Sequence, residues 1–110
     1  MKRGIAAATG VVLASLWAPV ALADIAIGVA APLNGPFAPL GQQLLSGVRE
    51  AIADLNARGG VAGEKLKLEA VDDGCEAKKA EAVANQLVGR KVRLVVGHVC
   101  SAASLAAARV

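Results

Sequence analysis

Two five-residue strings carry most of the chemistry this chain offers: VDDGC, from Val71 to Cys75, and GHVCS, from Gly97 to Ser101. Cys75 and Cys100 can bridge, or Cys100 can act as a thiolate nucleophile with His98 as its base. The second use is disfavoured, because a bridge consumes the nucleophile and the sequence shows no third group to orient the imidazole. His98 then reads as a structural or pocket-rim residue. One histidine and two spaced cysteines are too few ligands for a metal site. Asp72 and Asp73 suit a turn and the start of a helix more simply than carboxylate catalysis or cation binding. Ser101 stands where a helix is expected to begin, so its hydroxyl and the free N–H groups of that first turn can hold a small anion such as a carboxylate. Plain N-capping by Ser101 draws on the same donors and stays open as the other reading.

Whether the thiols bridge depends on the compartment. Residues 1–23 have the zones of a secretory leader: Lys2 and Arg3, an apolar stretch from Ile5 to about Trp17, and Ala21-Leu22-Ala23 at a small-x-small cleavage point. The mature chain is expected to begin at Asp24. Gly4 to Leu22 is nearly long enough for an uncleaved anchor, but Pro19 and the Ala-x-Ala ending favour removal. No cysteine lies near the cleavage point, so no lipid anchor is expected. Export places the thiols where a pair is expected to bridge, two separate buried thiols being the alternative. Closing a loop of about 25 residues constrains the unfolded chain by roughly 3 to 4 kcal/mol in the entropy model.

The chain has 12 basic and 9 acidic residues. Loss of Lys2 and Arg3 with the leader leaves ten against nine, so the basic balance belongs largely to the leader. The remaining cations (Lys65, Lys67, Lys78, Lys79, Arg90, Lys91, Arg93 among them) are interleaved with acids, and Phe37 is the one aromatic after maturation. That composition gives no support to a nucleic-acid surface. Removing 23 residues from 110 leaves 87, few for an α/β domain that must cover both faces of a sheet. The final Ala-rich helical run has no Gly, Asn or Pro to stop it, so residues 24–110 read as part of a longer protein.

The elements that must position these residues follow from periodicity. Ile25 to Ala31 predicts a strand with two buriable faces. Ala31 to Gly41, with three prolines and Asn34-Gly35, predicts a shaped loop. From Gln42, Leu44, Leu45, Val48, Ala51, Ile52 and Leu55 fall on one helical stripe, with Gly41 as N-cap and Gly59-Gly60 as the end. Leu66 to Val71 alternates apolar and charged residues, as a half-wet edge strand does. Ala80, Val83, Ala84, Leu87 and Val88 mark a second helix ending at Gly89, and Val92 to Val96 a third, mostly buried strand. A third helix is expected from Ser101. Alternating strands and helices imply right-handed crossovers and a parallel sheet, and the least buried strand being the second one favours the order 2-1-3. The fold class is therefore α/β with flanking helices. The loops Pro32–Gly41, Asp72–Cys75 and Gly97–Ser101 then share the carboxyl edge of the sheet, where ligands of such folds sit. Gly59, Gly60 and Gly63 precede a strand instead of following one and make no dinucleotide fingerprint.

Over essentially the whole mature segment the chain resembles the amino-terminal part of the periplasmic branched-chain amino acid-binding proteins, the Leu/Ile/Val-binding type that feeds an ABC importer. The resemblance rests on the first strand with Gly35-Pro36 and Gly41, on Asn56 with Gly59-Gly60 and Gly63, on VDDGC, on AVANQLV from Ala82 to Val88, and on GHVCS. It implies an incomplete first lobe of a two-lobed type I periplasmic-binding fold. It implies a Cys75–Cys100 disulfide, Ser101 on the ligand's α-carboxylate, and Val99 and Cys100 lining the pocket. The partners implied are leucine, isoleucine, valine or a similar amino acid and a membrane permease, with no enzyme activity, cofactor, metal or nucleic acid. Where close relatives of this type carry an aromatic against the ligand, this chain has Leu40, so ligand preference stays open to other amino acids, amides or urea. The contrasting expectations are an exported α/β enzyme using Cys100 and His98, and a nonfunctional remnant of a binding protein.

Overall fold

A computed structural model describes residues 23–110, so the expected leader, apart from Ala23, lies outside the described residues. Three strands and three helices alternate: β1 (Ile25–Ala31), α1 (Ala38–Ala57), β2 (Leu66–Asp72), α2 (Ala77–Gly89), β3 (Leu94–Gly97) and α3 (Ser101–Ala107). The strands are all parallel in the order β2-β1-β3, as the sequence predicts. Ile25 to Ala31 pairs in register with Leu66 to Asp72, and Ile27 to Ala30 with Leu94 to Gly97.

Because the chain moves to one side of β1 for β2 and back across it for β3, right-handed crossovers put α1 and α2 on opposite faces. The core shows this as two clusters served by alternate residues of β1, the period-2 consequence of an extended backbone. Val29 and Ala31 pack with Leu45 on the α1 side. Ala30 packs with Val83 and Leu87 on the α2 side.

Helix α1 begins at Ala38, four residues before the position expected from the apolar stripe, and its N-cap is Phe37, not Gly41. Pro39 belongs to the first turn, where its missing N–H is one of the donors that have no intrahelical partner, so proline starts this helix instead of excluding it. Gly41 is buried inside the helix, where a Cβ would run into the backbone carbonyl of Pro32. Its role is close approach, and it clamps the helix onto the end of β1.

The ends of α1 and α2 are both Schellman motifs. In the first, Gly60 N–H donates to Leu55 C=O (2.8 Å) and Gly59 N–H to Asn56 C=O (3.1 Å), with Gly59 at φ +103°. In the second, Val92 N–H donates to Leu87 C=O (3.1 Å) and Lys91 N–H to Val88 C=O (2.9 Å), with Lys91, not a glycine, in the left-handed region at φ +58°. Val92 is thus spent on the helix cap, and β3 starts two residues later than expected. The α2 helix also starts earlier than its stripe, at Ala77.

The outer edge of β2 is closed at its start by Asn56, whose amide accepts from Leu66 N–H (2.7 Å) and donates to Leu66 C=O (2.8 Å), imitating a neighbouring strand. Among the described residues nothing comparable covers β3. Leu94 and Val95 are 58% and 41% exposed, which corrects two expectations: β3 is not mostly buried, and β2 is not the least buried strand. The reason is positional, since β3 is an edge and α1 packs mainly on β1 and β2, with Val96 of β3 reaching the same cluster.

Two glycines of α1 test this packing. Gly41→Ala should lower the free energy of unfolding by about 1–3 kcal/mol through overpacking. Gly47→Ala, at an exposed helix position with open space around it, should raise it by roughly 0.5–1 kcal/mol. Urea unfolding followed by circular dichroism distinguishes the signs.

Candidate functional site

The three loops expected at the carboxyl edge do meet there, and what joins them is a covalent and polar crosslink. Cys75 and Cys100, 25 positions apart, are bonded with their Cα atoms 5.3 Å apart. Two residues before each cysteine, Asp73 Oδ2 lies 2.5 Å from Nδ1 of His98. The Asp73 carboxylate is fully buried and the His98 ring is 7% exposed. Oδ1 of Asp73 accepts from Cys75 N–H (2.9 Å), forming an Asx turn. The backbone N–H of Asp73 donates to Ala31 C=O (3.0 Å), extending the β1–β2 ladder by one bond. Asp73 therefore has the turn role expected, but it is also the orienting group for His98 that the sequence did not reveal. The shared spacing was the available signal: once Cys75 and Cys100 are bridged, the residues two before each are brought to the same place. Even so oriented, His98 has no thiolate to activate, because the Cys100 sulfur is bonded to Cys75, and the thiol-enzyme reading loses its nucleophile.

Asp72, the neighbouring acid, serves the other side. Its Oδ1 accepts from Leu33 N–H (2.8 Å) and Gly74 N–H (3.1 Å), and Oδ2 receives the Lys79 ammonium (2.5 Å) and the Asn34 amide (3.4 Å). The Lys79 ammonium holds the Asp72 carboxyl far below the usual carboxylate range, with help from those N–H donors and against the opposing pull of partial burial. In return Asp72 pushes the Lys79 ammonium up. This network anchors the loop after β1, and Gln42 adds a bond from its amide to Leu33 C=O (3.3 Å).

Ser101 is the first residue of α3, and its side chain is exposed. The N-cap position belongs to Cys100, in an extended conformation (φ −102°, ψ 132°) and without a capping side-chain bond. Of the two sequence readings, N-capping by Ser101 is thus set aside, and its hydroxyl faces solvent beside the first turn of the helix. Val99 and Cys100 are half-buried, Val99 against the cluster of Val29, Ala31 and Leu45. Leu40 lies in the first turn of α1 and is 51% exposed. Phe37, which sequence reasoning did not single out, stands at the N-cap of the same helix with comparable exposure. Gly97 ends β3 at φ +149°, where a Cβ would strike the Ala30 carbonyl. Only glycine lets the GHVCS segment leave the sheet so close to β1.

A cavity of about 300 Å³ opens elsewhere, between α2, β3 and α3, lined chiefly by Leu87, Val88, Val92, Val95, Ala107 and Val110, with His98 at its margin. Among the described residues its lining has no acidic, lysine or arginine side chain, and it lies on the flank of the sheet.

Residues 24–110 match the family model described as periplasmic binding protein. The chain belongs to that family. An amino acid binding protein of Pseudomonas aeruginosa is 50% identical over 91 residues, 82% of this chain and 24% of the relative. A Leu/Ile/Val-binding protein of Rhizobium johnstonii is 45% identical over 98 residues, 88% of this chain and 27% of the relative. Among solved structures, the branched-chain amino acid transporter substrate-binding protein of Streptococcus pneumoniae, in complex with isoleucine, superposes with a TM-score of 0.74 at 32% identity, covering 77% of this chain and 25% of that one. The chain thus spans about a quarter of the length of the relatives it matches. As in the sequence reading, the α/β sheet of order 2-1-3 is part of a periplasmic-binding fold.

Asp72→Asn should lower stability at neutral pH by about 1–3 kcal/mol, the range for hydrogen bonds to a charged group. Because folding depresses the Asp72 pKa, its contribution is fully present above the ordinary aspartate value near 4 and is lost as pH falls below that. Thermal unfolding across pH 7 to 2 should therefore show the two chains converging in acid; a constant gap at all pH values would refute the assignment.

Proposed function

We propose that this chain is the first part of the periplasmic substrate-binding component of an ABC importer for branched-chain or related amino acids. The observation that carries the reading is the crosslinked carboxyl edge, which presents a solvent-facing Ser101 at the start of α3, in a chain of the periplasmic binding protein family. In this proposal residues 1–23 are a cleaved leader and residues 24–110 supply one wall of the binding cleft.

The ligand is a zwitterion with an apolar side chain, and each part has a counterpart. Its α-carboxylate is held by the Ser101 hydroxyl and the unpaired N–H groups of the α3 first turn, where the partial positive charge of the backbone adds to the hydrogen bonds. Leu40, Val99 and Cys100 offer apolar area to its side chain. The ammonium group is left for an acidic residue of the second lobe, outside this chain. Closure of the lobes removes water from these contacts, and the loaded protein delivers the amino acid to the permease. With one wall only, residues 24–110 by themselves are expected to bind far more weakly than a complete protein.

The test is a chimera in which residues 24–110 replace the matching segment of the Pseudomonas aeruginosa relative. Isothermal titration should show binding of leucine, isoleucine or valine, and Ser101→Ala in the chimera should weaken it by about tenfold, or 1.4 kcal/mol. A folded chimera that binds none of the three, or one indifferent to Ser101→Ala, would overturn the proposal.

A further inference from the structure

The disulfide and the Asp73–His98 contact join the same two segments at the same separation, one step of two residues apart. Both polar groups are withdrawn from water, Asp73 completely. Removing either partner leaves the other buried with an unmet hydrogen-bonding demand, the situation in which a buried pair resists opening. Asp73 has a second hold on the thiol geometry. Cys75 lies in the left-handed region (φ +59°), uncommon for a residue with a side chain, and its N–H is fixed there by Asp73 Oδ1. Asp73 thus sets the backbone of Cys75 through Oδ1 and the position of the GHVCS segment through Oδ2 and His98.

We infer that the Asp73–His98 pair pre-positions the thiols of Cys75 and Cys100 for oxidation, and that bond and pair are thermodynamically coupled. Coupling is reciprocal: whatever the pair adds to formation of the disulfide, the disulfide adds to formation of the pair. In the oxidation considered, the two protein thiols and one oxidised glutathione give the protein disulfide and two glutathione thiols. Two electrons pass from the cysteine sulfurs to the glutathione disulfide, and the two thiol protons end on the released glutathione. Asp73 and His98 act through position and take no part in the electron transfer. In the reduced chain they keep the site loop in its oxidised shape, so the loop has a noncovalent fastening as well as a covalent one.

The equilibrium constant against glutathione, measured on the 24–110 chain by acid quenching, alkylation and mass spectrometry, tests this. His98→Leu and Asp73→Asn should lower it by about tenfold or more, whereas His98→Asn, whose amide N–H reaches the place of Nδ1, should stay within about threefold of the parent. In concentrated guanidinium all four chains should give one value, because the pair exists only in the fold. A constant unchanged by His98→Leu while circular dichroism shows the fold intact overturns the inference. Should His98→Leu fail to fold, the Cys75→Ser/Cys100→Ser chain decides: its His98 Nδ1–H should remain a slowly exchanging proton by NMR. Rapid exchange of that proton, or loss of the fold in that chain, overturns it equally.

Discussion

One buried carboxylate, Asp73, fastens the carboxyl edge of this sheet. Its backbone continues the ladder from Ala31, one oxygen sets the turn to Cys75, and the other receives His98. The disulfide then closes over a geometry that these hydrogen bonds already define. Without that carboxylate the GHVCS segment would be tied to the sheet only by the disulfide, the packing of Val99 and four-residue β3 in its register with β1. The position of Ser101, the first turn of α3 and the half-buried Val99 all depend on it.

Two adjacent acids perform opposite tasks because they lie on opposite sides of an extended backbone. Asp72 meets Lys79 of α2, Asn34 and the N–H of Leu33 near the protein surface. Asp73 looks inward, where water is excluded and its partners are a histidine and a backbone N–H. The first interaction is electrostatic, partly screened and lost in acid. The second is a buried satisfaction of polar groups, whose main cost appears when one partner is taken away. Between them they fix both loops that flank the end of β1.

The edges of the sheet are unequal for a related reason. Asn56 stands at the end of α1 and doubles as a strand substitute for Leu66, so helix and β2 close the same edge together. The β3 edge keeps exposed leucine and valine and borders the apolar cavity next to α3. The molecule is thus crosslinked where three loops converge on the carboxyl edge and thinly covered along β3.

Much of this was legible in the residues themselves. Alternation along Ile25–Ala31 and the 3.6-residue stripes of the first two helices follow from local backbone geometry, which is why element order and parallel pairing could be read; the 2-1-3 arrangement agrees with the structure although the burial argument used for it does not. The cysteines and GHVCS pointed to the edge where the three loops meet, and the resemblance to the family was visible in short strings of residues. Boundaries failed where a residue has two uses: Pro39 as helix starter, Gly41 as a close contact inside the helix, Lys91 as a left-handed cap, and Val92 as part of that cap instead of a strand. Chain direction, periodicity and the binding-protein family were therefore determined by sequence alone, because they depend on neighbours along the chain. The Asp73–His98 pair, the full burial of Asp73 beside a partly buried Asp72, and the open face of β3 were decided only by tertiary structure, because they depend on which distant segments exclude water from a given atom.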